Sequence, residues 1–363
     1  MKTIGVFLLL IFLISGCSGQ VAPNMGISPS PAAENTRTVS ASVPAVPALG
    51  NTAKPTPENT ATRASTQPAS PLLGITPSPV PEKTSPQPTI SGGLTFPIRA
   101  AFYYPWFPQA WNQNHLNPFT QYHPSLGFYR SDDVKVIQNH IAAMKYGKIQ
   151  VGIASWWGQG HHTDSHVPAL LQAGLAANFY WALYFESEGI GDPSADAIRS
   201  DLEYIRDHYA SSPAYLKIDG KFVVFVYAEP ADACGMADRW KQANTVGAYV
   251  VLKVFSGYRT CFSQPEGWHQ YAPANAQKQQ GTDSYTISPG FWKAGEELTL
   301  LNRDLATWSK SIQSMIASTT NFQLITTFNE WGEGTAVESA KEWASPSGYG
   351  AYMDALHNDG AAP

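Results

Sequence analysis

Three glutamates are the residues of this sequence whose type and spacing best suit chemistry. Glu186 follows a run of apolar residues, and Glu330 and Glu333 lie three positions apart beside Trp331 and two glycines. Burying a carboxylate costs free energy, so a buried carboxylate indicates a function. Carboxyl groups with shifted pKa values also cluster at functional sites. Cleavage of a glycosidic bond commonly uses two carboxyl groups. The three glutamates therefore favour a site that acts on a saccharide.

Aromatic residues and one amide accompany these glutamates at the ends of apolar runs. The flat face of an aromatic ring stacks on the C–H face of a sugar, while amides and carboxylates bind hydroxyl groups. For any single ring, a place in the hydrophobic core is an equally good interpretation. The candidate sugar-binding residues, besides Glu186, are Tyr103, Tyr104, Trp106, Trp156, Trp157, Tyr227, Asn329 and Trp331.

Eight short apolar or aromatic runs carry these candidates. Some are almost continuously hydrophobic, which suits strands buried on both faces of a parallel sheet. Helical periodicity appears between them over 132–146, 194–209 and 301–316, whereas 256–267 and 274–282 show no clear helix. The eight runs are 99–106, 150–157, 179–187, 221–227, 248–255, 267–273, 283–291 and 322–331.

Eight strands alternating with helices over about 260 residues predict an α/β fold, an irregular (β/α)8 TIM barrel. In such a barrel the C-terminal ends of the strands form one rim, where the chemistry takes place. The candidate residues close the first, second, third, fourth and eighth runs. We therefore expect them to meet on that rim.

The composition excludes one class of function and sets one boundary. Only 14% of the residues are charged, the net charge is −5, and the Lys and Arg residues form no basic stripe. The electrostatic footprint of a nucleic-acid-binding protein is therefore missing. All eleven tryptophans lie beyond residue 96, which predicts a globular domain over 94–363.

The N-terminus has the pattern of an export signal. Met1 and Lys2 precede an apolar run over 4–14, and Cys17 follows shortly after it. The run suits the core of a signal peptide and is too short to span a bilayer comfortably. Residues 1–17 resemble a bacterial lipoprotein signal in which Cys17 carries the lipid; an ordinary secretory signal with an incidental cysteine is the alternative. Both interpretations export the chain, and the first anchors it to the extracytoplasmic face of the cell membrane.

Residues 18–93 are rich in Pro, Ser, Thr and Ala and contain half of the chain's 28 prolines. With little apolar bulk to offset chain entropy, this segment is predicted to be a disordered linker. A spacer between the anchor and the domain is the favoured interpretation, and filler under weak constraint is the alternative.

Five separated segments resemble glycoside hydrolase family 99, which contains endo-α-mannosidases and endo-α-1,2-mannanases. The resemblance extends from about residue 97 to residue 357 and is strongest in Asn329–Thr335, which is similar to the family's catalytic segment. The segments are 103–106, 151–157, 184–186, 287–291 and 328–338.

The resemblance implies roles for individual residues. Glu333 resembles the general acid/base, and Glu330 resembles the base that deprotonates the 2-hydroxyl of the sugar, which then forms a 1,2-anhydro sugar with overall retention. Glu186 resembles a substrate-binding carboxylate and Tyr227 a tyrosine at the end of the fourth strand. The implied mechanism needs no metal and no cofactor. The expected partner is an oligosaccharide or polysaccharide, and we expect a monomer.

The sequence departs from the family pattern at Gly332, where many members have histidine, at Ala336, where glutamine is common, and over 227–230. These departures bear on the sugar and the linkage more than on the chemistry. An α-glucanase or a glycosyltransferase-like protein of the same fold is therefore one alternative. A non-catalytic glycan-binding protein is another, although it would need neither Glu330 nor Glu333.

Two smaller signals remain. Three histidines fall within 160–166, but their spacing matches no zinc motif, so a polar substrate-contacting loop or a helix cap at Asp164 or Ser165 is favoured over a metal site. Cys234 and Cys261 follow the fourth and fifth strands on one rim of an exported chain. They are predicted to form a disulfide.

Overall fold

A computed structural model of the chain describes residues 88–229 and 231–361. The predicted signal peptide, Cys17 and nearly all of the predicted linker lie outside the described residues. Ile90 is buried and pairs with Ile218, so the barrel begins a few residues before the predicted boundary at 94. Within the described residues, no helix is long and apolar enough to cross a membrane.

Ten strands form one sheet, and eight of them run parallel. The other two, β4 and β8, pair antiparallel with β5 and β9. The strands are β1 (Ile98–Tyr103), β2 (Val151–Trp156), β3 (Tyr180–Phe185), β4 (Lys217–Ile218), β5 (Lys221–Val226), β6 (Tyr249–Lys253), β7 (Gly267–His269), β8 (Gln277–Gln280), β9 (Ser284–Ile287) and β10 (Phe322–Ile325).

The eight parallel strands follow the order β7-β6-β5-β3-β2-β1-β10-β9, so the sheet curls around until its two ends, β7 and β9, lie side by side without pairing. Seven of the eight fall within one of the eight apolar runs, and β1 begins one residue before its run, at Ile98. The predicted (β/α)8 barrel is confirmed, with an open seam between β7 and β9.

Helices surround most of the barrel. The three helices expected from periodicity are α1, α4 and α6, and the side chains of Asp133, Ser194 and Asp304 cap their first turns. The helices are α1 (Val134–Tyr146), α2 (His162–Ala177), α3 (Glu188–Gly191), α4 (Ala195–His208), α5 (Cys234–Ala243), α6 (Leu305–Ala317) and α7 (Ala351–His357).

Side chains of the parallel strands divide between two buried layers, because successive residues of a strand point to opposite faces. In β2, Val151 and Ile153 lie in the cluster that fills the barrel interior, whereas Ala154 and Trp156 lie in the larger cluster between the sheet and the helices. This alternation decides which rim residues can reach the mouth of the barrel.

The connection between β6 and β7 has no α-helix, as expected, and contains only a short 3-10 turn at Tyr258–Thr260. Cys261 follows that turn and forms a disulfide with Cys234, the first residue of α5. Gln264 donates to the Cys261 carbonyl at 2.8 Å and accepts from Trp268 Nε1 at 3.0 Å. The disulfide therefore ties the part of the barrel that lacks a helix to the neighbouring helix.

Replacing both cysteines with serine is expected to lower the free energy of unfolding by about 2–4 kcal/mol, because the bond closes a loop between residues 27 positions apart. Urea unfolding of the variant and the parent protein measures this difference. Titration of the denatured, unreduced parent with a thiol reagent is the control, and two reactive thiols from these positions would contradict the bond.

Candidate active site

The mouth of the barrel is lined by residues that continue the inward-facing side of each strand. Tyr104 continues the interior face of β1, and Ser155 and Glu186 do the same for β2 and β3. Lys253 closes β6, and Tyr271 follows β7. Since the strands are parallel, these side chains meet at one end of the barrel.

The segment after β10 brings Glu330 and Glu333 to the same opening. The Glu330 backbone N–H donates to Thr327 Oγ1 at 2.8 Å, and the Glu333 N–H donates to Glu330 Oε1 at 3.3 Å. Gly334 has φ +66°, and a Cβ there would lie 2.8 Å from the Trp292 carbonyl oxygen. The chain therefore turns tightly at a residue that only glycine fits, and the turn places both carboxyl groups on one side.

Glu330 is buried, and its Oε2 has no hydrogen-bond partner among the described residues. Burial raises the pKa of Glu330 well above its usual range, and the nearby charge of Glu333 raises it further. A carboxyl oxygen without a partner at the mouth of a barrel is available to a hydroxyl group of a ligand.

Glu333 is at the end of a short chain of hydroxyl groups. Tyr104 Oη donates to Tyr271 Oη at 3.0 Å, and Tyr271 Oη donates to Glu333 Oε2 at 2.9 Å. Burial raises the pKa of Glu333, while the Tyr271 hydrogen bond and the charges of Lys293 and Lys253 oppose this shift. Tyr271 lies in the sixth predicted strand but is not among the site residues predicted from the sequence.

Glu186 is 6% exposed, and its Oε1 has no partner in the described part of the chain. Burial raises its pKa to about 8; a hydrogen bond with Ser155 opposes the shift, and the charge of Glu333 adds to it. Three carboxyl groups with raised pKa values in one opening cannot all be ionised near neutral pH. The site can therefore hold a carboxylic acid and a carboxylate together, which is the combination that acid–base catalysis needs.

Lys253 supplies positive charge to this group of carboxyls, and the sequence analysis missed it. The residue is 8% exposed, its ammonium donates to the Ala228 carbonyl, and it lies 4.2 Å from the centroid of the Tyr227 ring. Burial lowers its pKa to about 8, against the attraction of Glu229, Asp232, Glu186 and Glu333. It is therefore charged below about pH 8 and favours the ionised forms of Glu186 and Glu333.

Replacing Lys253 with methionine is expected to move the alkaline limb of the pH–activity profile upward by roughly 0.5–1 pH unit. Loss of the positive charge raises the pKa of Glu333, and a group that must be protonated then stays protonated to higher pH. Activity measured from pH 4 to 10 checks this. Lys253→Arg keeps the charge and serves as the control, and an unchanged limb in the methionine variant would show that Lys253 does not act on the acid.

Aromatic rings line the opening next to the carboxyls. Tyr104 and Trp106 meet edge to face at 4.5 Å, and the Trp106 indole donates to Ser155 Oγ at 2.9 Å. The Trp157 ring is half-buried with its centroid 6.3 Å from that of Trp106, and the Tyr227 ring meets that of Tyr184 edge to face at 6.1 Å. These rings, with Glu186, Glu330 and Glu333, give an opening of carboxyls and aromatic faces suited to sugars.

Residues 100–252, from β1 to the end of β6, match the model of glycosyl hydrolase family 99. The chain carries a domain similar to that family. The match confirms the predicted family 99-like glycoside hydrolase domain. It ends before the segment that holds Glu330 and Glu333, so the roles of these residues remain predictions.

Curated relatives are distant in sequence. The glycoprotein endo-alpha-1,2-mannosidase-like protein of Mus musculus is 22% identical, and the alignment covers 65% of this chain and 61% of the relative. The glycoprotein endo-alpha-1,2-mannosidase of Xenopus laevis is 21% identical over 60% of this chain and 58% of the relative. The chain thus spans about three fifths of the length of these relatives.

Solved structures share the fold. The GH99 endo-alpha-mannosidase from Bacteroides thetaiotaomicron is similar with a TM-score of 0.58 at 19% identity, over 72% of this chain and 95% of that chain. A glycoside hydrolase-like protein is similar with a TM-score of 0.54 at 15% identity, over 79% of this chain and 98% of that chain. At these identities the similarity shows the barrel fold.

Four predicted sugar-binding residues are buried and bonded within the protein, so in this structure they present no free face to a sugar. Tyr103, Trp156 and Trp331 are at most 1% exposed and lie in the layer between the sheet and the helices. Asn329 is fully buried, with Oδ1 accepting from the Tyr104 N–H and Nδ2 donating to the Tyr104 carbonyl and Tyr129 Oη. It joins the end of β1 to the segment after β10.

The partners of the three buried rings show their role. Tyr103 Oη lies 3.1 Å from His140 Nδ1 of α1, and Trp156 Nε1 donates to Asp164 Oδ1 at 2.7 Å. Trp331 Nε1 donates to Glu338 Oε2 at 3.2 Å. Tyr103 and Trp156 therefore fix the ends of their strands to the surrounding layer, and Trp331 stabilises the segment that follows β10.

The histidine-rich segment begins α2, where His161 caps the helix by accepting from the Thr163 N–H. The expected cap at Asp164 or Ser165 is therefore wrong. Asp164 is buried and accepts hydrogen bonds from Trp156, Gly160, Tyr204 and Tyr209.

A group of three acidic residues can be compared with a metal site. Within the described ranges, the one set of His, Cys, Asp and Glu ligand atoms close enough to share an ion belongs to Glu188, Asp192 and Asp232. Arg239 already hydrogen-bonds Glu188 and Asp192 there. The guanidinium therefore offsets part of the negative charge of this set, and the expectation that the reaction needs no metal stays a prediction.

Proposed function

We propose that this protein is a glycoside hydrolase that cleaves α-mannosidic linkages in an oligosaccharide or polysaccharide, in the manner of endo-α-mannosidases and mannanases. One observation carries the proposal: two carboxyl groups with raised pKa values, Glu330 buried and Glu333 half-buried, share one tight turn at the mouth of a family 99-like barrel. The names of the relatives, endo-alpha-1,2-mannosidases, support the choice of sugar.

In the first step Glu330 is the base and Glu333 the acid. The 2-hydroxyl of the sugar gives its proton to Glu330, and O2 attacks the anomeric carbon. The bond from that carbon to the leaving oxygen breaks, and the leaving oxygen takes the proton of Glu333. The unpartnered Glu330 Oε2 supports its role as the acceptor, and burial, which raises the pKa of Glu333, favours the protonated form that an acid needs.

In the second step the groups exchange roles. Glu333, now ionised, takes a proton from water, and the oxygen of that water opens the 1,2-anhydro ring at the anomeric carbon. Glu330 returns its proton to O2. Two inversions give overall retention without a covalent bond to the enzyme, which departs from the usual retaining scheme. Tyr271, hydrogen-bonded to Glu333, stabilises its ionised form between the two steps.

The proposal includes the location of the enzyme. The pattern of residues 1–17, with Cys17, supports a lipoprotein on the extracytoplasmic face of the membrane, with residues 18–93 as the spacer. A single barrel held in this way would act as a monomer on surface or imported glycans.

Product analysis tests the function. The purified protein and its Glu333→Gln variant are incubated with α-mannan, with α-1,3-glucan and with a glucosylated α-mannoside, and the products are separated and identified. Oligosaccharides released from the mannan or mannoside by the parent alone support the proposal. Cleavage of glucan alone would replace the sugar assignment, and binding without cleavage of any glycan would show a glycan-binding protein instead.

A further inference from the structure

Arg303, between β9 and α6, is an unusually placed cation. Its guanidinium is largely buried, and burial lowers its pKa. It forms no ion pair with a carboxylate of the described residues; it donates from Nη1 to the Gly334 carbonyl at 2.8 Å and from Nη2 to the Ala336 carbonyl at 2.7 Å. The charge of Glu342 attracts the guanidinium from beyond ion-pair distance. Withdrawing a charge from water without a directly bonded carboxylate is costly, so packing alone does not explain an arginine at this place.

Aromatic rings stabilise the cation where it lies. The centre of the guanidinium is 4.0 Å from the centroid of the Trp343 ring, 4.2 Å from that of Tyr352 and 5.3 Å from that of Tyr122. Stacking of a guanidinium on aromatic faces partly offsets its loss of water and leaves its planar edge of N–H groups for hydrogen bonds. The rings therefore hold Arg303 with its donors towards the turn that contains Glu333.

Backbone N–H groups of the residues that precede Arg303 bind the other side of that turn. The Ala294 N–H donates to the Gly332 carbonyl at 2.7 Å, and the Trp292 N–H donates to the Glu333 carbonyl at 3.0 Å. Four carbonyls of the turn, at residues 332, 333, 334 and 336, thus accept hydrogen bonds from residues 292–303. Arg303 is the one side chain among these donors.

We propose that Arg303 is a positioning residue that holds the turn carrying Glu333 so that this carboxyl reaches the leaving oxygen of the substrate. The inference rests on the proposed function. The backbone donors bind the carbonyls of Gly332 and Glu333, and Arg303 binds those of the residues that follow, so loss of the guanidinium frees the turn on the C-terminal side of Glu333. A displacement of about 1 Å at a catalytic group costs on the order of 10²-fold in rate.

The test uses Arg303→Ala and Arg303→Lys, with Arg99→Ala as the matched control. Arg99 is also buried, but it lies at the opposite end of the barrel, at the start of β1, where it bonds Gln323 and lies 3.6 Å from Asp359. Activity is measured on the glycan that the parent cleaves and on an aryl glycoside of the same sugar with a good leaving group. Hydrogen exchange of the segment 327–338 is measured in parallel.

For Arg303→Ala we expect kcat on the glycan to fall on the order of 10²-fold with KM little changed, and the loss on the aryl glycoside to be at most about tenfold. Arg303→Lys should behave like the alanine variant, because one ammonium cannot donate along two carbonyls as the planar guanidinium does. About 50 mM guanidinium chloride, far below unfolding concentrations, should restore part of the lost activity of the alanine variant. Arg99→Ala should lose no more on one substrate than on the other.

Equal losses on both substrates, or full activity with lysine, would overturn the inference. Hydrogen exchange separates this inference from the proposed function, because it needs no turnover. If the parent cleaves no glycan, the proposed function fails. In that case faster exchange of the Arg303→Ala variant in 327–338 alone still supports the inference that Arg303 holds the turn. Faster exchange throughout the barrel would show a general loss of stability and would overturn the inference.

Discussion

Glu330→Gln is expected to lower kcat/KM on the order of 10³–10⁴-fold on every substrate, whatever its leaving group. The amide cannot accept the proton of the 2-hydroxyl, and in the proposed mechanism no enzyme nucleophile replaces the attack by O2. Glutamine has nearly the same shape, and the Glu333 N–H that bonds Glu330 Oε1 can still donate to the amide oxygen. Kinetics on the cleaved glycan and on an aryl glycoside of the same sugar measure the effect.

Glu342→Gln is the matched control for this variant. Glu342 is a half-exposed glutamate a few residues past the same segment, and it hydrogen-bonds His123 at the surface. It should keep the activity of the parent. A substrate lacking the 2-hydroxyl should resist the parent enzyme for the same reason that Glu330→Gln fails. Turnover of a 2-deoxy substrate at the normal rate would therefore reject the 1,2-anhydro route, even if Glu330 proved essential.

The strand positions could be predicted because the barrel strands are buried on both faces. Such strands appear in the sequence as short, nearly continuous apolar runs, as in Lys221–Val226, and eight of them with helices between leave few other folds. The same reasoning could not find β8. Its Gln-Lys-Gln-Gln sequence is mostly exposed at an antiparallel edge, so its residues are those of a loop.

The orientation of rim residues could be predicted less well. When both faces of a strand are buried, apolar and aromatic residues no longer alternate with polar ones, so Tyr103 and Tyr104 look equivalent in the sequence. The structure separates them: Tyr104 joins the interior cluster and Tyr103 the layer beneath the helices. Glu186 continues the interior face of β3, but this does not show which residue of β1 points inward. The register between two strands cannot be predicted from the sequence of either strand alone.

Two long cationic side chains were also absent from the residues predicted from the sequence. Lys253 acts on carboxyls that follow different strands, and Arg303 binds carbonyls some thirty residues away, at 31 and 33 positions. Nothing local marks either residue, since single lysines and arginines most often belong to the solvated surface. The carboxyls were found because burial of an acid beside glycines and aromatic residues is costly, whereas a cation at the end of a strand carries no such local signal.

The carboxyls and the cations nevertheless form one system. Burial raises the pKa values of Glu186, Glu330 and Glu333, and Lys253 opposes that shift for Glu186 and Glu333. Glu333 also receives the Tyr271 hydrogen bond, which favours its ionised form, so it is suited to alternate between the two protonation states during a cycle. Glu330, with one oxygen unpartnered, is suited to bind and deprotonate a hydroxyl group.

Glu333→Gln is expected to distinguish the acid role of Glu333 from the base role of Glu330. On the natural glycan, whose leaving oxygen is poor and needs protonation, kcat/KM should fall on the order of 10²–10⁴-fold, while an aryl glycoside with a good leaving group should lose far less. Since burial raises the pKa of Glu333, the decline of parent activity with rising pH, caused by loss of this proton, should lie above the usual range of a glutamate. The amide has no such proton to lose, so that decline should vanish for the aryl glycoside. Equal losses on both substrates with an unchanged alkaline limb would place the acid elsewhere in the site, and Glu186, with its pKa of about 8, would be the residue to replace next.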